Sequence, residues 1–367
     1  MRPRKSGSQR RGRPTIEDVA KKAGVSVMSV SRVLNNSAHV SARIGAQVKR
    51  AVHELNYVPN HAARRLAERL QSHNVAFLFG APNALVLGEM VGAAFAEAAA
   101  AGAELVLIKL EGNRDLARVR RTLANLGIEG AVLAPPLCDD TGLRQSLSSA
   151  GIRIVAIGSD DRALPHSSVG IDDRRAAYQL TRHLLELGHR RIAFIGGPPR
   201  HRSSLRRREG HEAALVEYGL ALDPALEWRG EYTYGSALAG ADRALGMDPR
   251  PTAIFAANDD MAAAVMSVAR SRGIRIPDAL TVCGFDDSEI AVIVSPQLTT
   301  VSQPIGAMVR WAVRQLVQEL AAIERGEEPE VHKVVLHHTI VQRETDAPPP
   351  DQNIRSHRHA GGGRAID

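Results

Sequence analysis

TIEDVAKKAGVSVMSVSRVLNN, residues 15–36, is the stretch on which the reading of the whole chain turns. Ile16, Val19 and Ala20 recur at helical spacing, and Val27, Val30, Val33 and Leu34 form a second periodic set. Thr15 is placed to cap the first helix, with Asp18 three residues on where a capping box more often has Glu. Gly24 can adopt the left-handed backbone of a tight turn, and Ser26 can cap the second helix. Ala20 is small where two helices must cross, and Val30 plugs that crossing from the second helix. This is helix-turn-helix spacing, and it leaves Val27, Met28, Ser31 and Arg32 on the outer face of the second helix. An arginine there can form paired hydrogen bonds with a guanine edge, and Val27 and Met28 can meet a thymine methyl. Val48, Val52 and Leu55 mark a third helix, which closes a small all-α unit.

The charge distribution points the same way. Residues 1–70 hold 15 Lys and Arg against 4 Asp and Glu, whereas the remaining residues hold 32 against 36. A basic head on a mildly acidic body is the balance of a chain whose head meets a polyanion. Residues 1–14, MRPRKSGSQRRGRP, have almost nothing to bury and are expected to be disordered. They lack the apolar stretch of a secretory signal, and no apolar run approaches the ~18 residues of a membrane span. The expected location is the cytoplasm, on the nucleoid when DNA is bound, with no membrane partner.

From Asn74 the pattern changes to short apolar runs (VAFLF, ELVLI, AVLAP, IRIVAIG, RIAFIGG, TAIFAAND, LTVCGFDD) separated by amphipathic segments over 114–126, 173–187, 203–219 and 260–272. Runs buried on both faces and alternating with helices mean parallel sheets covered by helices on each side. There are too many strands for one unit, so two α/β lobes are expected, with a ligand between them at the strand C-termini. Asn258, Asp259 and Asp286 follow such strands, and amides and carboxylates there suit sugar hydroxyls. For Asp259 the preferred role is the N-cap of helix 260–272; for Asp286 it is the pocket. Cys138 and Cys283 are far apart and are expected to be small buried hydrophobes.

Residues 15–66 resemble the opening of the lactose-repressor (LacI/GalR) family of bacterial regulators, through the segment quoted above and HVSARIGAQVKRAVHELNYVPNHAARRL at 39–66. HLLELGHRRIAFIGG, AIFAANDDMAAAV, VCGFDD and LTTVSQPI extend the resemblance through the body, over about residues 15–345. The resemblance implies a helix-turn-helix head on a periplasmic-binding-protein-like α/β core of two lobes with parallel sheets. It implies base reading by Val27, Met28 and Arg32, and phosphate contacts by Ser26, Ser31, Asn35, His39, Ser41, Tyr57 and Asn60. It also implies a hinge helix from Asn60 whose Leu66 wedges into the minor groove, where unstacking is offset by the wrapped contact of a kinked duplex. In the body it implies effector contacts by Arg207, Tyr232, Asp286 and Gln303, beside Asn258.

The implied domains are a basic tail (1–14), the DNA-binding head (15–58), a hinge and linker (59–70), the two-lobed body (71–345) and a Pro/Gly-rich disordered tail (346–367). Lobe 1 is expected to hold about 74–171 and 298–330, and lobe 2 about 172–297 and 331–345. The partners implied are double-stranded operator DNA, a second copy of the chain and a small-molecule effector, a sugar or oligosaccharide ahead of a purine. The chain departs from the family pattern at Gly158 and Ser159, where an acidic residue and Arg are usual, and in the loop FGAPNALVLGEM.

Three rival functions fit less well. A secreted sugar-binding protein has no use for the head, and a non-specific DNA binder has none for the body. An enzyme needs a catalytic set: GGPP at 196–199 lacks the length and lysine of a phosphate loop, and the 14 histidines include no HExxH. His337 and His338, adjacent on an expected strand, would point to opposite faces and share no metal, and His53 and His189 are expected as ordinary helix and turn residues. No cofactor or metal is expected.

Overall fold

The computed structural model describes residues 15–34, 42–55, 72–80, 84–110, 112, 115–158 and 165–350, which form two units divided after Ser72. The head holds α1 (Ile16–Ala23), α2 (Val27–Leu34) and α3 (Ala42–Glu54). The capping box expected of Thr15 and Asp18 is present in both directions. Asp18 N–H donates to Thr15 Oγ1 at 3.3 Å, and Thr15 N–H donates to Asp18 Oδ2 at 2.8 Å. Gly24 ends α1 at φ +66°, and Ser26 accepts from Ser29 N–H at the start of α2. Val19, Ala20, Val30, Val48 and Ala51 form the buried centre, so Ala20 and Val30 do meet where α1 crosses α2. Asn35, His39, Ser41, Tyr57, Asn60 and Leu66 lie outside the described residues.

The body is built from two parallel sheets. Lobe 1 contains β1 (Asn74–Phe79), α4 (Ala84–Ala100), β2 (Glu104–Lys109), α5 (Leu116–Asn125), β3 (Gly130–Leu133), α6 (Thr141–Ser148), β4 (Arg153–Ile157) and β5 (Ser167–Gly170). Lobe 2 contains α7 (Asp173–Glu186), β6 (Ile192–Gly196), α8 (Arg202–Glu217), β7 (Glu227–Arg229), α9 (Tyr234–Leu245), β8 (Ala253–Ala256), α10 (Asp259–Ser271), β9 (Thr281–Cys283) and α11 (Ile290–Ile293). Then follow β10 (Thr300–Ser302), α12 (Ile305–Glu324), β11 (Lys333–Val335) and β12 (Thr339–Val341). The strand orders are β11-β5-β4-β3-β1-β2 and β7-β6-β8-β9. Every residue of β3, β5, β6 and β8 is buried, as strands between two helical layers are; β3, β6 and β8 are apolar throughout, and β5 carries the buried Ser167 and Ser168. Gly210 lets α7 and α8 meet backbone to backbone: a Cβ there would stand 2.1 Å from the Arg174 carbonyl oxygen.

Three boundaries differ from the sequence expectation. Residues 333–335, assigned to lobe 2, pair in parallel with β5 (Lys333 beside Ser168) and complete the lobe 1 sheet. Residues 299–302, assigned to lobe 1, run with lobe 2: Gly284 N–H donates to Thr299 O, Asp286 N–H donates to Val301 O, and β10 pairs antiparallel with β12. An apolar run identifies a strand but not which sheet edge it joins, and both are edge additions. The tail was expected to be disordered from 346, yet its first residues are docked. Val282 N–H donates to Thr345 O, Thr281 Oγ1 donates to Ala347 O at 3.0 Å, and Asp346 pairs with His183 Nε2 at 2.7 Å. One backbone bond to β9 and the side chains of Thr281 and His183 hold this segment whatever its proline content. Residues 351–367 lie outside the described residues.

His337 and His338 follow β11 instead of lying on a strand, and their rings stack 5.8 Å apart, so the opposite-face expectation does not hold. Cys138 and Cys283 are both buried free thiols, and burial raises both pKa values well above the usual range. No helix among the described residues is long and apolar enough to cross a membrane.

Candidate functional site

A cavity of about 360 Å³ opens where the two sheets present their strand C-termini to each other. The lobe 2 wall is polar. Asp173 follows β5, Arg207 rises from α8, Tyr232 follows β7, Asn258 follows β8, Asp286 follows β9 and Gln303 follows β10. All five effector residues expected from the sequence (Arg207, Tyr232, Asn258, Asp286, Gln303) therefore line one cavity.

Arg207 organises this wall. Its Nε donates to Asp173 Oδ1 at 2.8 Å, and one terminal nitrogen donates to Ala257 O at 2.6 Å and lies 3.5 Å from Asp286 Oδ1. The guanidinium carbon sits 3.6 Å from the centroid of the Phe285 ring. Burial opposes the charge, but Asp173, Tyr232 and Asp286 outweigh it, and the proton is held more tightly than in a free arginine. Asp286 also accepts from Gln303 Nε2 at 2.7 Å. Burial raises its pKa, and Arg207 and Gln303 pull it back. Tyr232, Asp286 and Asp287 have φ of +59°, +115° and +60°. Such backbone strain, about 1–3 kcal/mol per residue, gathers where a site dictates side-chain direction.

Asn258 takes the cap expected of Asp259 while keeping its place on the cavity wall, and Asp259 lies outside that wall. Asn258 is the N-cap of α10, accepting from Met261 N–H at 3.0 Å, and its Nδ2 donates to Tyr232 O at 3.0 Å. Asp259 is the first helical residue and fully buried. It accepts from Ser288 N–H and hydroxyl at 2.8 and 3.1 Å and from Thr300 Oγ1 at 2.6 Å. Gly284 leaves room for it, since a Cβ there would stand 2.3 Å from Asp259 Oδ1. The helix starts one residue earlier than the sequence pattern implies, so the side chain that looked like a cap turns inward.

Burial, reinforced by Asp286, pushes the Asp259 carboxyl up to about 8 against the hydrogen bonds that lower it. A carboxyl with a raised folded pKa contributes stability that is present at low pH and lost as pH rises through that value. Buried His211, held neutral chiefly by burial, works in the opposite sense once pH falls below its ordinary 6.5. In thermal melts the protein is expected to gain stability as pH falls from about 8 to 6.5, and Asp259→Asn should flatten that slope. An equal slope in the variant would assign the effect elsewhere.

Lobe 1 contributes an apolar wall that includes Val86, Met90, Pro135, Pro136, Leu137 and Ile157. The unusual Gly158 has φ +78°, and a Cβ on it would stand 2.8 Å from Pro135 Cγ, so proline fills the space where the family pattern has an acidic side chain. The lobes also touch across the cavity rim, where Arg202 N–H, at the start of α8, donates to Asp139 Oδ2 at 3.0 Å. His201 is the N-cap residue of α8 but makes no side-chain cap. Sequence reading missed Asp139, Asp173 and His201. Asp173 and His201 both follow strand ends, which is the signal the sequence offers, whereas GGPP at 196–199 draws attention only as a phosphate-loop candidate.

A chain that carries a helix-turn-helix unit and a two-lobed body closing on a charged cavity has the parts of a ligand-responsive DNA-binding regulator. The chain belongs to the LacI family of bacterial transcriptional regulators. Residues 15–60 match the model of bacterial regulatory proteins of the lacI family, and residues 181–345 match a periplasmic binding protein-like domain. The HTH-type transcriptional regulator CelR of Thermobifida fusca is 37% identical over 349 residues, covering 92% of this chain and 99% of the relative. A solved CelR–cellobiose complex is similar with a TM-score of 0.68 at 34% identity, over 91% of this chain and 100% of that one. The lac repressor dimer bound to operator and the anti-inducer ONPF is similar with a TM-score of 0.77 at 27% identity, over 92% and 100%.

In the head, Val27 and Met28 are 42% and 65% exposed, and Arg32 is exposed on the same helix. Ser26 and Ser31 are described; the remaining expected DNA contacts are not.

Proposed function

We propose that the protein represses transcription as a two-fold dimer on a near-palindromic operator, and that its effector is a neutral sugar or oligosaccharide. Val27, Met28 and Arg32 read bases, Ser26 and Ser31 hold phosphates together with Asn35, His39, Ser41, Tyr57 and Asn60, and Leu66 wedges the central step. The observation that carries the effector reading is the charge balance of the cavity. Among its described lining residues, Arg207 faces Asp173 and Asp286, and Arg200 pairs with Glu231 at 2.8 Å. Two guanidiniums already face three carboxylates, which leaves no surplus cation for a phosphate or carboxylate ligand. A polyol, which donates and accepts, fits a wall of fixed amides and carboxylates. The cellobiose bound by the similar CelR supports the same class.

The test is a thermal-shift panel on the full chain with neutral sugars including cellobiose, with sugar phosphates and with purine bases. A neutral sugar at about a hundred times its Kd should raise Tm by about 5 °C or more. Stabilisation by a purine or a sugar phosphate alone would overturn the effector reading. For the DNA half, selection from random duplexes at physiological salt should return a near-palindrome. Equal retention of scrambled duplexes would overturn that half.

A further inference from the structure

We propose that the arm before α1 binds DNA through Arg11 and Arg13, in the A·T-rich minor groove that flanks each operator half-site, a reading that rests on the operator proposal above. Residues 1–14 hold five arginines, one lysine and no acidic residue, and the buried centre of the head (Val19, Ala20, Val30, Val48 and Ala51) begins after them. They lie outside the described residues, but their point of attachment does not. Thr15 is exposed and extended, with φ −104° and ψ 166°. Its N–H and its hydroxyl both donate to Asp18 Oδ2, at 2.8 and 2.9 Å, so the chain enters α1 at a fixed point. Pro14 disfavours helical backbone at Arg13, which keeps α1 from running back into the arm.

In a helix-turn-helix the first helix crosses the DNA backbone while the second enters the major groove. A chain that leads into α1 therefore starts beside a groove edge. Arg11 stands four residues before Thr15, a reach of about 13 Å in extended chain, against a minor groove roughly 6 Å wide. The run Arg11-Gly12-Arg13-Pro14 has the composition that this groove selects. In extended chain, residues two apart share one face, so both guanidiniums reach the groove floor together. Gly12 between them has no side chain to hold the backbone off the groove walls. A·T tracts narrow the minor groove and concentrate the negative potential that attracts arginine. A G·C pair adds an amino donor to the floor, where a guanidinium needs an acceptor. Attraction to phosphates needs only the charges and carries no dependence on flanking bases. The hinge takes the central minor groove in the operator reading, which leaves the two outer flanks for the two arms of a dimer.

The experiment uses the full chain and one selected operator core in three duplexes, whose flanks are A·T, G·C or inosine·C pairs. Inosine lacks the guanine amino group, so its pair with C resembles A·T in the minor groove and G·C in the major groove. Fluorescence anisotropy at physiological salt should show the A·T and inosine·C flanks bound about tenfold or more tighter than the G·C flanks. Arg11→Ala combined with Arg13→Ala should erase that flank preference while the operator stays preferred over a scrambled duplex. Arg11→Lys combined with Arg13→Lys keeps the charges, and should keep the salt dependence while losing much of the flank preference. Melting temperatures close to wild type identify folded variants. If the inosine·C flanks behave as the G·C flanks do, or if the alanine variant weakens all three duplexes equally, the minor-groove site is overturned while the operator reading stands. If wild type retains scrambled duplexes as well as it retains the operator, both fall.

Discussion

Arg207→Met is expected to cost about 3–5 kcal/mol of stability and to abolish the effector response in the same stroke. Methionine approximates the volume, so little of the loss comes from a void. The cost comes from Asp173 and Asp286, which would remain in the wall without their counter-charge while the Ala257 carbonyl loses its donor. Uncompensated buried carboxylates neutralise instead of staying charged, so the penalty is bounded by the work of protonating them. The gap between wild type and variant should therefore narrow on moving from alkaline toward mildly acidic buffer in urea titrations. Arg207→Lys keeps the charge but not the planar fork, and should fall between the two. A loss below about 1 kcal/mol with a normal effector response would show that the cavity does not depend on this cation.

Arg32→Ala is expected to weaken binding to a selected operator about 10- to 100-fold, with a much smaller effect on a scrambled duplex. Arg32 is exposed on α2, the helix that also presents Val27 and Met28 to solvent, while Val30 on its inner face is fully buried. The head has little core to spare, and the apolar Met28, 65% exposed, takes no part in it. By contrast Lys22 on α1 pairs with Glu54 at 3.1 Å, which ties helix to helix. Fluorescence anisotropy on matched duplexes decides the matter. Equal losses on operator and scrambled DNA would make Arg32 a phosphate contact, not a base reader.

The parts of the molecule legible in the sequence were those governed by short-range rules. The Thr15–Asp18 box, the Gly24 turn and the Ala20–Val30 crossing each follow from local chemistry, and the structure has all three. The parallel strands were legible because burial on both faces leaves unbroken apolar runs. Edge membership was not, because β10 and β11 are placed by backbone pairing, to which side chains contribute little, and the 345–347 segment by side chains such as Thr281 and His183 that meet it only in the folded body. The polar wall was legible where a residue closes a strand, as with Asn258 and Asp286. His201 and Asp139 were not, since their roles exist only once the two lobes face each other. A one-residue shift in the start of α10 was enough to give Asn258 the cap expected of Asp259 and to turn Asp259 into the core.

The interleaving of the lobes has a consequence for biosynthesis. Lobe 2 takes most of its sheet from one continuous stretch, Ile192 to Cys283, while lobe 1 closes only with α12 and β11. Buried residues of α12, such as Val309, Val313 and Leu316, cover β3 and β4, so those strands wait for a cover that begins at Ile305. At translation rates of about 5–20 residues per second, the first lobe stays half-covered for about 7–30 s after β4 emerges. The DNA-reading helices leave the ribosome long before the sensor is complete. A premature stop before α12 therefore yields an intact reading head on a body with an open apolar sheet face, a product suited to aggregation or to a chaperone and deprived of regulation.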